Sequence, residues 1–596
     1  MQPTASAPIV TSSSPQPGSP VRDGLARIRR WSVAMYVGIP LAVGLGAVAT
    51  SDVSLGSIAS YFPTASVDVS YSFLRMTAAY ALSLGFALAY GYYAATHRSG
   101  ERVMIPILDI LQSVPILGFF PFAILFFASL TPNSWPGPNF ASVFLIFTSM
   151  AWNMVFGVYE SLKTLPDELR EAAATFRLRG LLLFRRVLLP ATMNRLIYNT
   201  VLSWTAGWFF LVEAEIFTTN SSQVLPGIGS FLSFAASRSD YNAFLAGIIV
   251  LVLVIVALDF VVWRPLGRWA ERFRYDTSPS GEAVEAQPSS SALGPIRRAA
   301  AFVTRGVRTG VSRLSTPLVQ LASITARPPR EGARRRQWVG YVALGAILVV
   351  SWLILIAIVI GVWGILTRPI EPSVFTRIEL LPLAMGASTL RVTASYILCL
   401  AIALPLALYM ARRPRAARVG LPTVEVIASF PATALFPVII FGLIPFISAE
   451  GASILMLMTG MLWYLFFNIL AGIRGFPPDL EEAARSYGLK GRTLLTRVLL
   501  PGIFPALITG SITAFGGGWN TLIVAEYLSV GNGASGHSLS LFGIGQAIDI
   551  GYALPNQAGW PLMVCALLTL VATVVAINEL IWKPLYRRAV EKYRYD

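Results

Sequence analysis

Long apolar runs, separated by shorter stretches rich in arginine or in small polar residues, dominate the chain. A bilayer core about 30 Å thick needs about 20 apolar residues in a helix. Twelve segments meet that length: 32–50, 74–96, 107–130, 141–163, 196–217, 243–263, 338–364, 387–410, 423–446, 452–474, 505–527 and 559–582. The third and ninth contain Pro115, Pro121, Pro431 and Pro437. A proline removes a backbone donor and clashes with the preceding turn, so these two spans are expected to be kinked or broken. Arginine and lysine cluster at 22–30, 97–102, 170–195, 264–274, 297–336, 412–418, 485–497 and 583–594. The loops 51–70, 131–140, 218–242, 444–451 and 528–558 are nearly free of them; 365–386, with Arg368 and Arg377 balanced by Glu371 and Glu379, is a mild exception. The positive-inside bias then puts the basic loops and, with an even number of spans, both termini in the cytoplasm.

Composition sharpens this reading. Of 596 residues 55% are hydrophobic and 13% charged, with mean hydropathy +0.64, against about 25% charged in soluble domains. The net charge of +16 collects in the expected cytoplasmic loops, so it does not call for a nucleic-acid partner. Cys399 and Cys565 lie in apolar runs, and His97 and His537 are far apart. Neither pair suggests a disulfide framework or a metal site. Residues 1–21 are rich in Ser, Pro and Thr and lack the apolar core of a signal peptide.

The chain repeats itself. LRMTAAY at Leu74–Tyr80 returns as LRVTASY at Leu390–Tyr396, 316 positions later, and Pro106, Ser113, Pro115, Phe120 and Pro121 return as Pro422, Ser429, Pro431, Phe436 and Pro437. Further on the offset is 311: Glu171–Ala173 returns as Glu482–Ala484, Val187–Pro190 as Val498–Pro501, Gly207-Trp208 as Gly518-Trp519, and Ala214-Glu215 as Ala525-Glu526. The expected fold is an all-α polytopic membrane protein of two six-span units in parallel orientation, facing each other across a central path. The expected divisions are a tail at 1–26, a first unit at 27–276, a basic linker at 277–336 and a second unit at 337–596. Within the linker, Val303, Val307, Val311 and Leu314 have helical spacing. An amphipathic helix on the inner leaflet and a solvated linker both fit.

Between the fourth and fifth spans of each unit lies a charged segment, PDELREAAATFRLRGLLLFRRVLLP (Pro166–Pro190) and PPDLEEAARSYGLKGRTLLTRVLLP (Pro477–Pro501). Asp167 and Asp479 are placed as N-caps, acids follow in the first turn, and Gly180 and Gly491 suit the end of a short helix. A second amphipathic stretch leads to the proline before the next span. Each segment is therefore expected to be a helix–turn–helix with its first helix exposed, and its recurrence in both units marks it as a docking element.

These segments resemble the signature of bacterial ATP-binding-cassette importer permeases: EAA, a Gly six residues after the Glu, and an aliphatic-x-Leu-Pro ending nineteen residues after it. The second copy has Glu482, Ala483, Ala484, Gly488, Val498, Leu500 and Pro501; the first has Glu171, Ala172, Ala173, Val187, Leu189 and Pro190, but Arg177 where the family has Gly. The resemblance implies a type I importer fold, with these segments as coupling helices docking on two separate ATPase subunits that hold ATP and Mg. Glycine permits close backbone approach, so Arg177 predicts unequal docking sites. SVPILGFFP and SFPATALFP, GWFFLVEAE and GWNTLIVAE, and the Gly-Ile-Gly at Gly227–Gly229 and Gly543–Gly545 are similar to the nitrate, taurine, sulfonate and bicarbonate branch, in its duplicated, fused form. That likeness implies import of a small anion across a bacterial inner membrane, delivered by an external solute-binding protein. No lysine closes a GxxxxGK[ST] loop, so the chain is not expected to be the ATPase or an enzyme.

Candidate path residues are the charges and tryptophans within the spans. Glu215 and Glu526 recur near the outer ends of the fifth and eleventh spans; lining or gating the path, and pairing locally, both fit. Glu213 aligns with Val524, so the halves differ there. Arg75 and Arg391 open the second and eighth spans, where they would either snorkel to headgroups or attract an anion. Trp208 and Trp519 suit either an interfacial belt or the path. The alternative reading is a twelve-span secondary transporter using Glu215 and Glu526 as ion relays, which leaves the paired motifs unexplained.

Overall fold

The computed structural model describes residues 54–113, 115–130, 136–178, 180–219, 225–238, 240–273, 370–413, parts of 416–430, then 431–440, 444–529, 538–554 and 558–592. The expected tail, the linker and the spans at 32–50 and 338–364 lie outside them. Six helices among the described residues are long and apolar enough to cross a membrane: Leu55–Thr96, Pro136–Lys163, Tyr241–Phe273, Leu381–Arg412, Phe446–Arg474 and Trp560–Lys592. A bent pair, Gly491–Gly502 and Phe504–Glu526, meets at 65° and supplies a seventh. In the first half the fifth-span helix is Leu189–Thr219. Two short strands, Tyr527–Ser529 and Ser538–Ser540, form an antiparallel ribbon beyond the helical expectation.

The prolines explain where the helices deviate. As expected, the third span is broken: Arg98–Ser113 ends before Pro115, Ile116–Phe119 is a 3-10 turn, and Phe120–Leu130 follows. The matching Ala432–Leu435 turn follows Pro431. Four π-helical turns, Phe184–Leu188, Asp259–Trp263, Leu495–Leu499 and Asn578–Trp582, each end two residues before a proline: Pro190, Pro265, Pro501 and Pro584. Widening the turn relieves the clash and the missing N–H without ending the helix. In the first half the helix continues without interruption through Pro190 into the fifth span. In the second half it bends after Pro501.

Small residues let the spans approach closely. A Cβ on Gly91 would meet Val158 at 2.9 Å, one on Gly207 would meet the Met150 and Met76 side chains, and one on Gly517 would meet the Gly460 carbonyl at 2.3 Å. Each half thus packs its second, fourth and fifth spans into one bundle, and close packing by small residues is what associates helices in lipid.

The broken spans join the halves. The Ile116 N–H, at the start of the first 3-10 turn, donates to Asn520 Oδ1 at 2.6 Å on the opposite half's fifth-span helix. Reciprocally, Thr433 Oγ1 donates to the Phe209 carbonyl at 3.2 Å, and the Phe209 and Phe436 rings meet edge-on at 6.3 Å. Each proline break thereby hands an otherwise unsatisfied backbone or hydroxyl group to the other half.

Candidate functional site

Three features stand out: a buried ion-pair cluster in each half, a matched pair of exposed helices, and the seam between the halves.

Arg75 and Arg391 do not reach toward headgroups. Both are buried, at 5% and 8% exposure, and each faces the glutamate of its own half. Arg75 Nη1 lies 2.6 Å from Glu215 Oε1, and Arg391 Nη1 lies 2.7 Å from Glu526 Oε1. The hydroxyls of Ser72 and Ser388 donate to the same carboxylates at 2.8 and 2.6 Å. The second carboxylate oxygen accepts the backbone N–H of Gly229 or Gly545 at 2.8 Å. These glycines lie in the first turn of the short helices Ile228–Ser237 and Ile544–Ala553, where unpaired amides and the helix dipole favour an anion.

The Gly-Ile-Gly segments owe their glycines to space. A Cβ on Gly227 or Gly543 would fall 2.3 Å from the glutamate carboxylate, and one on Gly229 or Gly545 would meet a fifth-span carbonyl at 2.5 or 2.7 Å. Ser-x-x-Arg, Ala-Glu and Gly-Ile-Gly, far apart in sequence, thus converge on one point in each half. The clusters differ in their other partners: Arg75 Nε donates to Asn139 Oδ1 at 2.7 Å, whereas Arg391 makes two 2.7 Å contacts with Glu450 and donates to the Phe542 carbonyl at 2.9 Å. Trp208 and Trp519, at 1% and 2% exposure, are enclosed in the packed core and are not interfacial belt residues.

The expected helix–turn–helix is present in both halves, with different caps. The exposed helices are Asp167–Thr175 and Pro478–Ser486; their caps are Pro166 and Pro477, and the aspartates lie inside the first turn without capping side-chain bonds. Proline has preset the extended backbone that an N-cap needs. Gly180 and Gly491 likewise do not end these helices; they begin the next ones. The ends are instead Schellman turns at Arg177 and Gly488. The Arg177 N–H donates to the Ala174 carbonyl and that of Leu178 to Ala173; Gly488 and Leu489 repeat this with Arg485 and Ala484. Both turn residues take positive φ, +52° for Arg177 and +79° for Gly488. A Cβ on Gly488 would meet nothing within 4 Å. Within the chain its role is therefore conformational, and Arg177 adopts the same turn.

Ala173 and Ala484 face inward, at 4% and 8% exposure. Glu171, Ala172, Glu482 and Ala483 face outward. At the tip of each helix stands an aromatic that the sequence reading missed: Phe176 is 77% and Tyr487 86% exposed. Their register 311 positions apart, like that of the EAA residues, was the available signal. Nearby, Glu101 accepts from Lys163 and Tyr159 at 2.6 Å, and those bonds hold its pKa below the ordinary value.

Comparison with known proteins agrees with this duplicated architecture. The model of the family described as "Binding-protein-dependent transport system inner membrane component" matches twice, at residues 81–263 and 403–580. The chain is 38% identical over 113 residues to an Escherichia coli protein named as an aliphatic sulfonates transport permease, covering 19% of this chain and 41% of that protein. It is 24% identical over 195 residues to a nitrate import permease of Leptolyngbya laminosa (33% and 65%) and 26% identical over 151 residues to a taurine transport system permease of Escherichia coli (25% and 53%). The chain therefore spans 41 to 65% of the length of these relatives. With both halves matched, the chain belongs to the binding-protein-dependent transport system inner membrane component family, as a fused, duplicated permease.

Proposed function

We propose that this chain is the membrane-spanning subunit of an ATP-driven importer of a small anion-bearing solute, worked by two separate ATPase subunits that hold ATP and Mg. The observation that carries the reading is the matched pair of exposed helices, Asp167–Thr175 and Pro478–Ser486, each presenting a glutamate, an alanine and a tip aromatic outward. Exposed aromatics beside small residues suit insertion into a partner's groove. Closure of the ATPases would drive the two handles together and swing the halves about their seam. The names of the relatives support a sulfonate- or nitrate-like anion, and the family description supports delivery by a solute-binding protein. Glu215 and Glu526 are each held by an arginine, a hydroxyl and a backbone amide; this favours a clamp that keeps each half rigid over the relay that a secondary transporter would need.

The test is ATP-driven uptake by the chain reconstituted in liposomes with its ATPase subunits. Combined Glu171→Arg and Glu482→Arg reversal, or combined Phe176→Ala and Tyr487→Ala, is expected to release the ATPases and abolish uptake. Uptake by the chain alone, without ATP, would overturn the reading.

A further inference from the structure

Glu213 has no counterpart in the other half and no role in the clusters. It is buried, at 2% exposure, in the last third of the fifth-span helix Leu189–Thr219. Its Oε2 has no hydrogen-bond partner, and no ion pair among the described residues includes it. Residues four apart share a helix face, so Phe209, Glu213 and Phe217 form one stripe. Both ends of that stripe touch the opposite half. Phe209 meets Phe436 and Thr433, and Phe217 meets Tyr552, with ring centroids 5.5 Å apart. The corresponding stripe of the second half carries Asn520, whose oxygen is already used by Ile116, and Val524. A carboxylate with an unpartnered oxygen thus lies, by helical spacing, between Phe209 and Phe217 on the stripe whose ends meet the opposite half.

Leaving a carboxylate unpartnered in a membrane bundle is costly, and such groups mark pathways. A partner that carries hydrogen-bond donors and positive charge lets the carboxylate stay ionised, and aromatic side chains four residues to either side favour a cation. A bare oxyanion meets neither condition. We propose that Glu213 receives the ammonium group of a small zwitterionic solute as it passes the seam, so that the transported class is an amino-substituted anion. The proposal rests on the importer reading and narrows its substrate class.

The test compares ATP-driven uptake of taurine, which carries an ammonium group, with uptake of ethanesulfonate, which lacks it, by the reconstituted transporter. Glu213→Gln keeps the shape of the side chain and removes its charge. The expected result is a loss of about tenfold or more in taurine uptake, as for a charged hydrogen bond, with ethanesulfonate uptake changed less than about twofold. Glu213→Asp is expected to recover part of the taurine uptake. Equal losses for both probes, or none for taurine, would overturn the proposal, as would a wild-type transporter that carries ethanesulfonate and rejects taurine. Uptake driven by a proton gradient and lost for both probes in Glu213→Gln would also overturn it, assigning the carboxylate to a proton relay. Selective loss of taurine uptake that needs no ATP would support the carboxylate's role while overturning the importer reading.

Discussion

Arg75 and Glu215 meet at 2.6 Å inside the first half, and Arg391 and Glu526 repeat that pair inside the second at 2.7 Å. Each pair ties the second span to the fifth. The shared carboxylate also pins the first turn of a short helix through the Gly229 or Gly545 amide. A charge in lipid persists when its desolvation is offset by a partner and by hydrogen bonds to its remaining oxygen, and both offsets are present. The effect is to tie three elements of each half together at one buried point.

Removing one partner should therefore do more harm than removing both. Arg75→Met leaves the buried Glu215 carboxylate without its counter-charge, and a loss of about 3–5 kcal/mol is expected. The double variant Arg75→Met/Glu215→Met should recover much of it. Thermal unfolding in detergent, followed by tryptophan fluorescence, measures both; a double variant worse than the sum of the singles would contradict the pairing.

Much of this architecture was legible in the chain, for identifiable reasons. Hydropathy located the described spans, because lipid demands length and apolarity together, but Pro136–Lys163, Leu189–Thr219, Leu381–Arg412 and Phe446–Arg474 start five to seven residues before the expected positions, and Tyr241–Phe273 and Trp560–Lys592 end ten after them. Leu55–Thr96 is longer than expected, since Ser60, Ser66, Asp68 and Ser70 lowered the apolar signal of a helix that nonetheless continues. Local pairing of Glu215 and Glu526 is one of the two readings their sequence allows, but it does not name Arg75 and Arg391 as the partners. The signal was that one base and one acid recur together in each half of a chain poor in charge. The cap assignments failed for a local reason: the aspartates follow a proline whose backbone already starts the helix. At Arg177 the turn forms with the same bonds as at Gly488, because a Schellman turn needs positive φ and not the absence of a side chain.

The steric origin of Gly-Ile-Gly can be tested separately. Gly227 has φ 173°, which any residue adopts, but its Cβ would collide with Glu215. Gly227→Ala should cost about 1–3 kcal/mol through overpacking. Gly267, in a helix with nothing near its Cβ, is the control: Gly267→Ala should be neutral or stabilise by up to about 1 kcal/mol. Unfolding temperatures of the two variants should move in opposite directions or differ clearly.

The two Schellman turns, at Arg177 and Gly488, should respond oppositely to substitution. Arg177 holds φ +52° with a side chain, a conformation costing about 1–2 kcal/mol for residues other than glycine. Arg177→Gly should tighten the first turn, while Gly488→Ala should loosen the second. Hydrogen exchange at the Leu178 and Leu489 amides, which close the turns, reads this directly. Protection should rise several-fold at the first and fall several-fold at the second.

The seam itself offers the last prediction. Ile116 and Asn520 belong to different halves, and the 2.6 Å bond between them satisfies an amide left free by the Pro115 break. Asn520→Ala leaves that amide without its acceptor, which should cost about 1–3 kcal/mol, all of it charged to the contact between halves. If the chain is produced as two separate halves divided within 277–336, Asn520→Ala should lower the fraction that co-purifies. The intra-half Ser511→Ala, which removes a hydroxyl bonded to Tyr396, should leave that fraction unchanged. Equal losses from both variants would mean that the halves are joined by general stability instead of by this bond.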